Sequence, residues 1–159
     1  MKNYTYETAH EEIDYIFKTL LPQRGMAERP EQLRLCHSIL DAMLDGSIAL
    51  CDAGTGIGKT FAYLTAGILH GKCRAAEGKP QRPILISTSS IALQSAIQKE
   101  YLPLLSGVLL SEGLISAPIE AVIRKGKAHY ACDARLERRV CFVRFRHPFG
   151  AQVSVYNTK

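Results

Sequence analysis

Apolar residues recur at helical spacing near the start of the chain, where Ile13, Ile16, Phe17, Leu20 and Leu21 line one face of a segment from Ala9 to Leu21. Pro22 and Gly25 break that pattern. A second helix is predicted after Pro30, with Leu33, Cys36, Ile39, Leu40, Met43 and Leu44 on one side and a stop near Asp45-Gly46. The pattern then changes. Ser47-Ile48-Ala49-Leu50-Cys51 is a short apolar run that reads as a first strand. A helix from Lys59 to Leu69 follows, and the polar stretch from Gly71 to Pro80 reads as an exposed connection. Pro83-Ile84-Leu85-Ile86-Ser87-Thr88 is the next strand. A helix from Ile91 to Tyr101 is capped by Ser89 or Ser90 and limited by Pro103. After loop-like residues, Ile119 to Ile123 forms a short third strand.

Strands alternating with helices predict a parallel α/β architecture with helices on both faces, because crossovers of this length place strands side by side and parallel. A chain of 159 residues, 47% of them hydrophobic, closes one modest core, so it is one domain or part of one. The formal net charge of +5 favours an anionic partner, nucleotide or nucleic acid. The opening residues Met1 to Glu7 contain no apolar leader and no segment is long enough to span a membrane, so a soluble cytoplasmic protein is expected. Five cysteines, an odd number, fit reduced thiols or metal ligands better than a secreted disulfide scaffold. Cys51 is expected in a buried strand and Cys36 on the apolar face of its helix.

The chemistry is concentrated between the first strand and the next helix. Ala53-Gly54-Thr55-Gly56-Ile57-Gly58-Lys59-Thr60 has the spacing of a phosphate-binding loop, with Ala53 where the usual pattern has glycine. Glycines let the backbone turn tightly and aim N–H groups at a phosphate, and the following helix presents its positive end to the same anion. Lys59 is expected to bridge the β- and γ-phosphates, and Thr60 to give its hydroxyl to a phosphate-bound Mg²⁺. The implied ligand is ATP or GTP with magnesium. The reading requires Gly56 to Thr60 to link a strand to a helix.

Four blocks in order carry a family resemblance: Arg29-Pro30-x-Gln32, the loop with Asp52 before it, Ile86-Ser87-Thr88-Ser89-Ser90-Ile91-Ala92-Leu93-Gln94, and Lys125-Gly126-Lys127-Ala128-His129-Tyr130-Ala131-Cys132. From about Arg29 to Leu136 the chain resembles the N-terminal region of DinG/XPD-type superfamily 2 DNA helicases. That resemblance implies a RecA-like P-loop motor domain and an ATP-dependent helicase of DNA repair. Gln32, with Arg29 nearby, would read the adenine edge, favouring ATP; an exposed polar residue is the alternative. Thr88 and Ser90 would hold phosphates of single-stranded DNA; helix capping explains them equally. Cys132 falls where the family places the first thiolate of a [4Fe–4S] cluster, which needs four ligands. Cys141 is the only later cysteine, so an intact cluster is expected only in a longer parent.

A basic segment follows, with Arg124, Lys125, Lys127, Arg135, Arg138, Arg139, Arg144 and Arg146 set against Asp133 and Glu137. Tyr130, Phe142, Phe145 and Phe149 are interleaved, a composition suited to stacking on unpaired bases, or to core packing. The family's acidic box Asp-Glu-x-His is absent from the sequence, and the length has no room for a second motor lobe. The expectation is therefore the ATP-binding, N-terminal part of helicase motor domain 1, not catalytically competent alone. The alternative is a stand-alone ATP- or nucleic-acid-binding module that works through a partner protein.

Overall fold

A computed structural model describes residues 4–125 and the backbone of residues 153–157. These fall into two units, Met1–Arg82 with Pro103–Pro118, and Pro83–Leu102 with Ile119–Lys159.

In the first unit, helix α1 (Tyr6–Tyr15) starts at Thr5, whose hydroxyl accepts the Thr8 N–H. A π-helical turn, Ile16–Leu20, joins it to the short α2 (Leu21–Gln23). The face read from the sequence is the buried one: Ile13, Ile16, Phe17, Leu20 and Leu21 are all in the core. Helix α3 (Pro30–Asp45) begins with proline, whose missing N–H costs nothing in a first turn, and ends on Gly46 at φ +67°. Helix α4 (Lys59–Ala76) packs along α3, and α1 lies against both.

Helix α4 outruns its expected end, so Gly71 to Ala76 is helix and the connection begins only at Glu77. The physical reason is that this last stretch still has work on its inner side. Cys73 is buried, and Lys72 reaches back to the Glu12 carboxylate. Helix α6 (Leu102–Ser111) belongs to this unit from Pro103 onward and buries Leu105, Val108 and Leu109.

In the second unit, β1 (Ile84–Thr88) leads into α5 (Ile91–Ala96), a π-helical turn Ile97–Tyr101, and later β2 (Ala121–Arg124). Strand β3 (Val153–Asn157) lies between them in a parallel sheet of order β1-β3-β2, with Val153 opposite both Ile84 and Ala121. The parallel α/β expectation holds here, but the central strand comes from a tail in which no strand was expected.

Four expectations are corrected. Ser47 to Cys51 is not a strand: Ile48 and Leu50 are 89% and 96% exposed, and Cys51 is exposed rather than buried. A strand forms only where its N–H and C=O groups meet a neighbour, and among the described residues none pairs with this run. A RecA-like sheet is therefore not what the structure shows; it shows a mixed α/β chain with three parallel strands.

Pro103 also does not stop a helix. In both Leu-Pro steps the proline follows a π-helical turn closed by the preceding leucine, Leu21 N–H to Ile16 O and Leu102 N–H to Ile97 O. The wider turn shifts the hydrogen-bond register just before a residue that has no N–H to give. Among the described residues no helix is long and apolar enough to cross a membrane.

Candidate nucleotide-binding loop

Residues 53–58 turn directly into α4. Gly58 precedes the helix at φ +84° and Gly56 has φ +83°, a region that L side chains rarely adopt. Gly54 lacks that constraint, and a Cβ there would meet Ile57 Cδ1 at an ordinary 3.6 Å. The Gly58 carbonyl accepts the N–H groups of Phe61 and Ala62 and starts the helix. No acidic residue stands in the first turn of α4, so no carboxylate of that turn competes with an anion for its positive end.

Lys59 folds its exposed side chain over the loop, where Nζ donates to the carbonyl oxygens of Ala53 and Gly54 at 2.7 Å each. Thr60 is half-buried behind it, while Thr55 and Gly56 are exposed and Ile57 is half-buried. The loop thus meets the helix as expected. It does not follow a strand, which corrects the strand–loop–helix reading at its first step.

The start of α3 braces the loop from the side. Gln32 is buried, 6% exposed, and its Nε2 donates to the Gly58 carbonyl at 2.7 Å. Arg29, just before the helix, donates from Nη1 to the Gly56 carbonyl at 2.6 Å. Both side chains hold carbonyls of the two positive-φ glycines, a role the sequence reading missed. The signal was present: Arg29 and Gln32 stand one helical turn apart at a helix start, so both point toward one spot. The reading of Gln32 as an exposed polar residue does not hold.

Thr88 and Ser90 lie in the second unit, at the end of β1 and the start of α5. Ser90 Oγ accepts the Leu93 N–H at 3.1 Å, and Thr88 Oγ1 accepts the Ser90 N–H at 3.1 Å. Of the two caps considered, Ser90 is the one used. Buried Gln94 donates to the Arg124 carbonyl and ties α5 to β2. Lys125 is exposed just past β2. Lys127, Cys132, Cys141, and the arginines and aromatics after them, lie outside the described residues.

Cys36 and Cys73 are buried thiols. Burial pushes the Cys36 thiol well up, only partly offset by a hydrogen bond to the Ala66 backbone. Burial, then the Glu77 and Glu12 carboxylates, raise Cys73. Neither is disposed to become a thiolate. Among the described residues no group of three or more His, Cys, Asp or Glu side chains is placed to hold a metal ion.

Comparison with known proteins agrees with the resemblance seen in the sequence. The chain is 33% identical over 114 residues to the 3'-5' exonuclease DinG of Bacillus subtilis, a match covering 72% of this chain and 11% of that protein. It is 33% identical to the ATP-dependent DNA helicase YoaA of Haemophilus influenzae and 30% identical to YoaA of Escherichia coli, over 115 residues, or 72% of this chain and 16% of each relative. The chain is therefore homologous to the DinG and YoaA proteins and spans a small part of their length. No protein-family profile matches the chain. No solved structure matches it either.

Proposed function

We propose that this chain is the ATP-binding part of an ATP-dependent DNA helicase of the DinG type. The observation that carries the proposal is the loop at the start of α4, with Gly56 and Gly58 in left-handed backbone and Gln32 and Arg29 bound to their carbonyls. The reaction class is taken from the relatives named ATP-dependent DNA helicase, while another relative is named a 3'-5' exonuclease.

In this reading the Lys59 ammonium exchanges the Ala53 and Gly54 carbonyls for β- and γ-phosphate oxygens, gaining charge-assisted bonds in place of neutral ones. The N-terminus of α4 adds its dipole to the same anion. Thr60, one residue into the helix, gives its hydroxyl to the magnesium ion that accompanies the nucleotide. Gln32 Oε1 and its remaining N–H meet the adenine edge, while the bond to Gly58 keeps the loop in register. Thr88, Ser90, Lys125 and Lys127 serve the phosphates of single-stranded DNA, and Cys132 serves as one ligand of a [4Fe–4S] cluster in the full-length parent.

Hydrolysis needs an acidic box and a second lobe that this sequence lacks. The chain alone is expected to bind nucleotide and turn it over little or not at all. The test is titration of a fluorescent ATP analogue onto the purified chain with and without Mg²⁺, followed by an ATPase assay with single-stranded DNA. Magnesium-dependent binding that disappears in Lys59→Ala supports the proposal. A folded chain that binds no nucleotide ends it, and robust turnover abolished by Lys59→Ala ends the claim of incompetence.

A further inference from the structure

The two pinned carbonyls of the loop are not held equally. Gly58 O accepts the N–H groups of Phe61 and Ala62 from α4 itself, in addition to the Gln32 amide. Gly56 O is met by Arg29 Nη1 at 2.6 Å, and by no other donor among the described residues. Gly56 is exposed at φ +83°, and a Cβ there would meet nothing within 4 Å, so crowding at this residue does not hold its peptide in place. The guanidinium just before α3 does.

A fixed carbonyl fixes a second group. A trans peptide unit is planar, with its N–H pointing opposite to its C=O, and no cis bond occurs among the described residues. Because the Gly58 carbonyl points along α4, the Lys59 N–H points out of the helix end, toward the place where an anion is favoured. Because the Gly56 carbonyl is turned to Arg29, the Ile57 N–H is turned to the other side of the loop. Glycine makes the reverse orientation of this peptide accessible, and that orientation would offer an anion a carbonyl oxygen in place of an N–H. Arg29 selects between the two.

We propose that Arg29 is a positioning residue for the phosphate groups: by holding the Gly56 carbonyl it keeps the Ile57 N–H aimed at the bound anion. The inference rests on the reading of this loop as a nucleotide site, and it assigns Arg29 to the polyphosphate whatever base is attached. Inorganic tripolyphosphate, which has no base, is therefore a sufficient probe.

The test titrates an ATP analogue and, separately, tripolyphosphate, each with Mg²⁺, onto the full chain, Arg29→Ala and Arg29→Lys. Loss of one aimed N–H should weaken both ligands in Arg29→Ala by the same factor, about fivefold. Arg29→Lys keeps a donor and should recover most of it. Since Arg29 is also a cation, the titrations are repeated at raised salt: an effect of charge alone is screened away, whereas an effect of aim persists. The Ile57 amide resonance gives a direct readout. It should move when tripolyphosphate is added to the unmodified chain and stay in place in Arg29→Ala, while the Lys59 amide moves in both. Three results would each overturn the role of Arg29 and leave the nucleotide reading standing: tripolyphosphate bound as tightly by Arg29→Ala as by the unmodified chain, a loss that vanishes with salt, or an Ile57 amide that ignores the ligand. A folded, unmodified chain that binds neither probe overturns both.

Discussion

Gln32 and Gly58 are locked together: the Gln32 amide donates to the Gly58 carbonyl at 2.7 Å, and a Cβ placed on Gly58 would lie 2.1 Å from the same Nε2. Glycine is favoured here by a φ of +84°, and a Cβ would in addition force the Gln32 amide to swing off the Gly58 carbonyl. The residue that starts α4 and the residue that anchors α3 thus share one contact.

Replacing Gly58 with alanine is expected to destabilise the chain by about 1–2 kcal/mol from the left-handed backbone alone, with a further loss as Gln32 is displaced. Urea unfolding measures the total. Adding Gln32→Ala to Gly58→Ala should recover the steric part, so the double variant is more stable than the sum of the single effects implies. Strict additivity would show that the two residues do not touch.

Gln32→Ala alone removes one hydrogen bond, worth about 1 kcal/mol, and leaves the half-buried Gly58 carbonyl with less to hold it. If the amide also meets adenine, affinity for an ATP analogue should fall more than affinity for a GTP analogue. Parallel titrations of the two nucleotides decide this. Equal losses would reduce Gln32 to a brace for the loop.

Lys72 on α4 grips both oxygens of Glu12 on α1 and sits 4.5 Å above the Tyr4 ring, whose hydroxyl donates to the same carboxylate at 2.7 Å. Lys72 and Glu12 are only 23% and 15% exposed, so Lys72→Ala leaves a poorly solvated carboxylate and should cost about 1–3 kcal/mol by urea unfolding. Burial first, then the bond to Glu12, raises the Tyr4 hydroxyl far above its ordinary value. The folded state keeps that proton where the unfolded chain loses it, so stability should fall as pH rises past about 10. Tyrosinate absorbance followed against pH, with Tyr4→Phe as the control, tests the sign. A wild-type profile identical to that of the variant would remove Tyr4 from the account.

On the acid side, Asp14 behaves oppositely. Burial raises its carboxyl, but hydrogen bonds from Lys18 and His37 outweigh that and bring it below the usual range. Its stabilising share is present above about pH 3.9 and is lost as pH falls through the lowered value. Asp14 is 45% exposed, so the share is small. Asp14→Asn should flatten the acid limb of the stability curve in that window while changing little once pH is below the lowered value. An unchanged acid limb would show that these bonds do not persist in solution.

Helices α1 and α3 of the first unit were readable because their signals are local, whereas α6 was read as loop. Pro30 at a first turn, Gly46 after a last one and a stripe from Ile13 to Leu21 act through neighbours in the chain, and α1 and α3 appear where those signals place them. The loop was readable for the same reason, since Gly56 and Gly58 must be glycine to take their backbone angles. Strands depend on partners instead. Ser47 to Cys51 has strand composition and no strand, while residues 153–157 fill the middle of the sheet without having been marked at all.

The sequence by itself therefore determined the phosphate-loop motif, the helical faces and the kinship with DinG-type proteins, because composition and short-range spacing are properties of the chain alone. Tertiary structure decided which strand is central, that Gln32 and Arg29 hold the loop carbonyls, and that His10 meets Asp41 and His37 meets Asp14 across α1 and α3. Each of these joins residues distant along the chain, and hydrogen bonds of that kind exist only once packing has brought donor and acceptor together.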